Sequence, residues 1–238
     1  MKEKTRKIFF NSILFLLALL FVAKFGGSTL LKQYIKLGFG NCQKIPILCM
    51  IPSEEIINPT INKEYIAELL SYRLPKMAIS TPKDMTVIKE KIKKAYYKKK
   101  RKGLSGGVIY LLQEEPYFFM NLFPQLKKQG IQDDYGFIKR VMSTRLEEIK
   151  NLDDAFFVII KGIFIPDLGD QNNLKMSQFI IADKRGFINY NLGKDDNYFD
   201  CNIIDEQGNL FKVYIKDKGA KLDLDKVMAI ISTVKKLE

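Results

Sequence analysis

Three cysteines, several adjacent acid pairs and one dense run of cations are the groups whose types and spacing could support chemistry in this chain. Cys42 and Cys49 are separated by the six residues QKIPIL. That spacing allows a local disulfide, worth about 2 kcal/mol for so small a loop, or a pair of buried thiols. Cys201 alternates with Phe199 and Ile203, the pattern of a thiol packed in the core of a strand. The chain contains no histidine, which removes every Ser-His-Asp or Cys-His nucleophile system and every histidine-containing zinc or haem site. Three cysteines are also too few for a four-cysteine zinc site or an all-cysteine iron–sulfur cluster. No catalytic residue, metal or cofactor is expected on these grounds.

Adjacent acids occur at Asp133/Asp134, Glu147/Glu148, Asp153/Asp154 and Asp195/Asp196. Glycosidase-type chemistry needs two carboxylates converging on one cleft. Most of these pairs fall where helix caps and turns use carboxylates structurally. The oxygen-rich stretch 167–173 (DLGDQNN) lacks the alternating ligands and terminal glutamate of an EF-hand and reads as a polar loop between strands. Gly103, Gly106 and Gly107 follow a basic run but form no phosphate-binding loop motif.

The formal net charge of +12 is carried unevenly. Residues 1–50 hold eight Lys/Arg and one acid, Glu3, and residues 89–102 hold nine Lys/Arg against Glu90. The remainder of the chain is left mildly acidic, unlike a nucleic-acid-binding domain whose excess covers a folded face. The candidate binding patch is Lys98, Lys99, Lys100, Arg101 and Lys102, preceded by Tyr96 and Tyr97. Such a patch suits anionic lipid or an acidic protein surface, or equally a solvated edge that resists aggregation. Nucleic acid is not the expected partner, and would become one only if the patch faces the cytoplasm.

Residues 8–23 (IFFNSILFLLALLFVA) are uncharged and flanked by Lys2, Lys4, Arg6, Lys7 and Lys24. The run is short for a bilayer of about 30 Å, but snorkelling lysines and the apolar residues beyond Lys24 extend it. An uncleaved transmembrane anchor is the favoured reading over a cleaved signal peptide, because cutting after Ala23 would place bulky Phe21 at the outer small-residue position. A short basic stub before such a segment stays cytoplasmic. The expected placement is therefore single-pass in a bacterial inner (cytoplasmic) membrane, anchored by the N-terminal helix, with the C-terminal domain extracytoplasmic. Residues 29–39 (TLLKQYIKLGF) have near-helical apolar spacing, either a juxtamembrane helix or a stem packed on the domain.

The elements that must position these groups follow from periodicity and turn residues. Residues 1–40 form the stub, anchor and juxtamembrane helix; the proline-containing stretch 41–61 is a linker or packing arm; and 62–238 is a single α+β domain. Within it, 62–74 reads as a helix, 77–80, 85–88 and 107–112 as strands, and a helical region broken near Pro124 and Gly130 resumes after Asp133 or Asp134. The apolar run 156–165 (FFVIIKGIFI) reads as a buried strand. Strands 176–183 and 187–192 flank a turn at Lys184-Arg185-Gly186, and strands 198–205 and 210–216 flank Glu206-Gln207-Gly208-Asn209. Asp223 caps a last helix. The expected fold class is α+β, an antiparallel sheet packed by helices on its faces and preceded by one transmembrane helix.

That element order, with the turn Pro82-Lys83-Asp84-Met85 and a last helix ending Ile231-Ser232-Thr233-Val234, resembles the PsbP-like fold. The resemblance covers residues 77–238 and departs from the family turn, which carries glycine and an aromatic where this chain has Asp84 and Met85. It implies a sheet sandwiched between helices and an extrinsic, non-catalytic domain that docks on a membrane complex. The functional expectation is thus a membrane-anchored, non-catalytic binding or assembly module docking on an envelope partner. Its alternatives are an envelope hydrolase using paired carboxylates and a cytoplasm-facing basic module that binds nucleic acid.

Overall fold

The computed structural model describes residues 27–38, 41–74, 76–89, 107–165, 168 and 173–237. In chain order these form α1 (Gly27–Gly38), β1 (Glu54–Ile57), α2 (Lys63–Glu68), β2 (Leu70–Arg73), β3 (Met77–Thr81), β4 (Thr86–Lys89) and β5 (Val108–Glu114). There follow α3 (Phe118–Leu122), α4 (Asp134–Ser143), α5 (Leu152–Phe164), β6 (Leu174–Ile181), β7 (Lys184–Leu192), β8 (Asp196–Asp205), β9 (Leu210–Lys218), α6 (Leu224–Ser232) and β10 (Lys235–Lys236).

The expected transmembrane helix is corrected. Among the described residues no helix is long and apolar enough to cross a membrane, and the run 8–23 lies outside them. The first described helix, α1, has 12 residues and includes Lys32 and Lys36. At about 18 Å it is well short of a hydrocarbon core of about 30 Å. The described residues therefore include no membrane-spanning helix. The signal-anchor reading, the membrane as partner through an N-terminal helix, and the single-pass inner-membrane placement with an extracytoplasmic domain fall with it. Of the alternatives for 29–39, a stem packed on the domain fits: Ile35 is buried and α1 lies along α5.

The α+β class stands, but the sheet is mixed rather than antiparallel. Seven strands are ordered β1-β6-β7-β8-β9-β5-β4, and a second sheet is ordered β10-β3-β2. Strands β6 to β9 form an antiparallel meander, while both edges are parallel additions: β1 runs with β6 and β4 with β5. A parallel neighbour needs a crossover, which local turn signals do not reveal. Thus β3 and β4, adjacent in sequence around Pro82, belong to different sheets.

Side-chain alternation along the meander feeds two cores. One face buries Met176, Phe187, Ile204 and Leu210 against α3, α4 and α5. The other buries Phe179, Ile188, Phe199, Cys201, Phe211 and Val213 against α6 and the small sheet.

Three local expectations change for identifiable reasons. The run expected as a strand over 156–165 is α5, whose N-terminus is capped by Asn151 accepting from the Asp154 N–H at 2.9 Å. Its buried Ala155, Val158 and Lys161 recur at helical spacing, and a run of apolar residues alone does not separate a buried strand from a buried helix. The helix expected over 62–74 ends at Glu68, because Leu70–Arg73 pairs with Ala78–Thr81 as β2. The turn expected at Lys184-Arg185-Gly186 falls two residues earlier, at Ala182-Asp183, where Ala182 takes a left-handed φ of 50°. Gly186 is needed inside β7 instead: a Cβ there would sit 1.9 Å from the Asn202 carbonyl oxygen.

Candidate functional site

A cleft of about 400 Å³ opens where the β6–β7 and β8–β9 hairpin ends meet the N-termini of α3 and α4. Its walls carry five carboxylates (Asp133, Asp134, Asp183, Asp205 and Glu206), two cations (Lys184 and Arg185), and the rings of Tyr117 and Tyr135. The fold itself holds most of these groups in place.

Asp133 is the N-cap of α4. One of its oxygens accepts from the Gly136 N–H at 2.6 Å and the other accepts from Arg185 Nη2 at 3.2 Å. The Arg185 guanidinium lies 4.0 Å from the Tyr135 ring centroid, and Tyr135 stacks in turn on Phe187. Asp134 is 2% exposed. Its Oδ1 accepts from the backbone N–H of Phe119 at 2.9 Å and of Met120 at 3.3 Å, tying α3 to α4, while its Oδ2 has no hydrogen-bond partner among the described residues. Burial pushes the Asp134 carboxyl above the usual carboxylate range, opposed by those N–H groups.

Asp205 closes the β8–β9 turn by accepting from the Asn209 N–H at 2.8 Å and from its amide. Asp183 pairs with the buried Lys184 at 2.5 Å. Tyr117 stands at the rim, 56% exposed, on a left-handed backbone with φ 61°. A non-glycine residue in that region carries strain of the kind that collects at binding sites.

The second constellation joins Cys42, Cys49 and Glu147. The two sulfurs are in disulfide contact, with Cα atoms 5.7 Å apart. Glu147 Oε1 lies 2.5 Å from Cys42 Sγ and 2.9 Å from Cys49 Sγ. The cysteines are delivered by a 3-10 turn over Pro46–Leu48 whose Ile47 and Leu48 are buried. Glu147 comes from another such turn, Leu146–Glu148, anchored by Leu146.

Beside this cluster, Lys161 of α5 is fully buried and donates to the carbonyls of Met50 and Thr144, each at 2.7 Å. It thereby satisfies the end of α4 and clasps the segment that carries the cysteines. Burial, with a smaller contribution from Arg145, lowers its pKa from 10.5 to about 7.

A third polar group lies inside the sheet face that receives α5. Lys212 Nζ is 3.3 Å from Asp200 Oδ1 and donates to the Phe164 carbonyl at 2.6 Å. Asn189 donates to Asp200 Oδ2 at 3.4 Å. Burial pushes the Asp200 carboxyl upward, against the pull of Lys212.

The sequence-derived candidates fare differently. Lys98, Lys99, Lys100, Arg101 and Lys102, with Gly103 and Gly106, lie outside the described residues, as does most of 167–173. Cys201 is buried in the apolar face, and burial pushes its thiol up. Of the acid pairs, Asp133/Asp134 lines the cleft. The others diverge: Glu148 faces Arg145, Asp154 pairs with Arg140, and Asp196 pairs with Lys216.

Three residues of these clusters carry no local signal of their place in them: by sequence Glu147 reads as one of an acid pair, Lys161 as part of a strand, and Arg185 as a turn residue. Glu147 lies 105 residues from Cys42 in sequence, so no local pattern could have joined them. No family model matches the chain, and no curated protein or solved structure matches it.

Proposed function

We propose that this protein is a non-catalytic binding module whose hairpin-end cleft holds a basic, extended segment of a protein partner. The observation that carries the reading is the cleft's fixed charge: five carboxylates against two cations, with Asp133, Asp134, Asp183 and Asp205 each held by the fold. Charges already positioned cost little reorganisation when a partner arrives, and an acidic concave surface attracts and orients cations. Tyr117 at the rim adds an aromatic face for a lysine or arginine side chain.

The same commitments weigh against a hydrolase. A general acid and its partner must each be released to the reacting bond, whereas Asp133 caps a helix and binds Arg185, and Asp134 ties two helices together. An acidic cleft also repels phosphate, which counts against nucleic acid as its occupant.

The test is a titration of the purified chain with fluorescent peptides of alternating lysine and leucine, beside glutamate–leucine controls. The lysine peptide should bind, more weakly as salt is raised, and Glu206→Lys in the β8–β9 turn should weaken binding severalfold without changing thermal stability. Equal binding of both peptides, or no effect of Glu206→Lys, would remove the proposal.

A further inference from the structure

We propose that Cys42, Cys49 and Glu147 form a thiol-gated site for a thiophilic divalent cation of the zinc type, closed while the two cysteines are joined and opened by a dithiol reductant. The site is independent of the acidic cleft. It brings two sulfurs and one carboxylate oxygen within 4.8 Å of one another, from segments far apart in sequence. Thiolate sulfur and carboxylate oxygen bind zinc at about 2.3 Å and about 2.0–2.2 Å, so ligand atoms this close need only small movements to share one ion.

The supporting shell is already built. Ile47 and Leu48, between the cysteines, are 4% and 0% exposed, and Leu146, next to Glu147, is 0% exposed. The carbonyl of Met50, next to Cys49, is held by Lys161 at 2.7 Å. None of these anchors depends on the sulfur–sulfur bond, so the ligand-bearing turns keep their places when it is cut. Ligands held by packing of this kind lose little freedom on binding a metal.

The chemistry balances as follows. The reductant's two thiols supply two electrons and two protons; the bond between Cys42 Sγ and Cys49 Sγ breaks, two thiols form, and the reductant leaves as its own disulfide. The cation then displaces one proton from each thiol, forming two metal–thiolate bonds. Glu147 supplies the third ligand and one negative charge, and water completes the tetrahedron. A disulfide oxidant, which takes up the two electrons and is itself reduced to two thiols, reforms the Cys42–Cys49 bond and releases the metal. The carboxylate gives the site its selectivity: beside a disulfide it has no thiolate partners with which to hold a soft cation, and beside two thiolates it completes a three-ligand set.

The experiment is a titration of the full chain with cobalt(II), read by the sulfur-to-cobalt charge-transfer absorbance and then displaced with zinc. It is run on oxidised chain and on chain reduced with a phosphine, which offers the metal no thiolate. The reduced chain should take up one equivalent of cobalt and release it to zinc, and the oxidised chain should take up none. Glu147→Gln, at an exposed position, should weaken cobalt binding by about tenfold or more, and Cys42→Ser with Cys49→Ser should abolish it. A lack of cobalt uptake by the reduced chain would overturn the proposal. So would unchanged uptake after loss of both cysteines, with a circular dichroism spectrum confirming the fold, or unchanged affinity in Glu147→Gln.

Discussion

The two faces of the seven-stranded sheet are built on the same strands and bury different chemistry. On one face the row Ile188, Cys201 and Val213 runs across β7, β8 and β9, flanked by Phe179, Phe199 and Phe211. Its central side chains are apolar apart from the buried Ser177 of β6, and at one end Asn197 and Asp217 hold the loop at Leu222. On the other face the equivalent rows are Asn189, Asp200 and Tyr214, and Phe187, Asn202 and Lys212. Every site described above lies on or beside that second face. Apolar burial supplies stability without direction, whereas buried polar groups cost free energy unless each has a partner and a geometry. The molecule places its fixed charges where helices α3 to α5 can hold them, and leaves the opposite face to packing.

The largest expected effect comes from the apolar face. Phe211→Ala should destabilise the protein by about 4 kcal/mol, by lost transfer energy and a residual cavity, read as a shift in the urea midpoint. Lysine-peptide binding per folded molecule should not change. A change in binding would break the separation between the faces.

The polar face should respond according to pairing rather than volume. Asp200→Val removes the buried carboxylate that lies 3.3 Å from Lys212 Nζ, and should cost about 3 kcal/mol. Adding Lys212→Met should recover most of that loss in the same urea experiment, because the two charges then disappear together. A double variant no more stable than Asp200→Val would show that the pair is not the unit of stability there.

Lys161 sharpens the comparison through pH. Its folded pKa of about 7 lies below the ordinary 10.5, so between these values the unfolded chain binds more protons than the folded one. Stability therefore rises with pH across that window, and the penalty of holding a buried charge is fully present below pH 7. The sign is the reverse of that for a lysine stabilised by an acid. Lys161→Met should remove this rise, seen as a flatter dependence of the urea midpoint on pH between neutral and alkaline buffers. An unchanged slope would mean that Lys161 keeps its proton in the fold across this range, just as it does in the unfolded chain.

The smallest effect is expected at the β6–β7 turn. Ala182→Gly should stabilise by up to about 1 kcal/mol in thermal unfolding, by relieving the left-handed backbone at φ 50°. It touches neither core, so the polar-face pairings should be unaffected.

Much of the fold was legible wherever a local rule applies. The Asp133 and Asp223 caps, the break at Gly130 with its φ of 80°, the β8–β9 turn at Gly208 and the core position of Cys201 each follow from short-range sterics or alternation. The misreadings fall where local signals are degenerate. An apolar run such as 156–165 suits a strand or a buried helix equally, and Asn151 settled it by capping. Gly186 signals a turn by type, yet serves a close backbone approach to Asn202 that depends on register.

By itself the sequence determined the α+β class, the meander, the helix caps and the exclusion of histidine chemistry, because those depend on residue types and on neighbours within a few positions. Tertiary structure alone decided the parallel edge strands, the acidic cleft and the meeting of Cys42 and Cys49 with Glu147. Each of these brings together groups separated by long stretches of chain. Their approach is set by the packing of whole elements, and no local spacing records it.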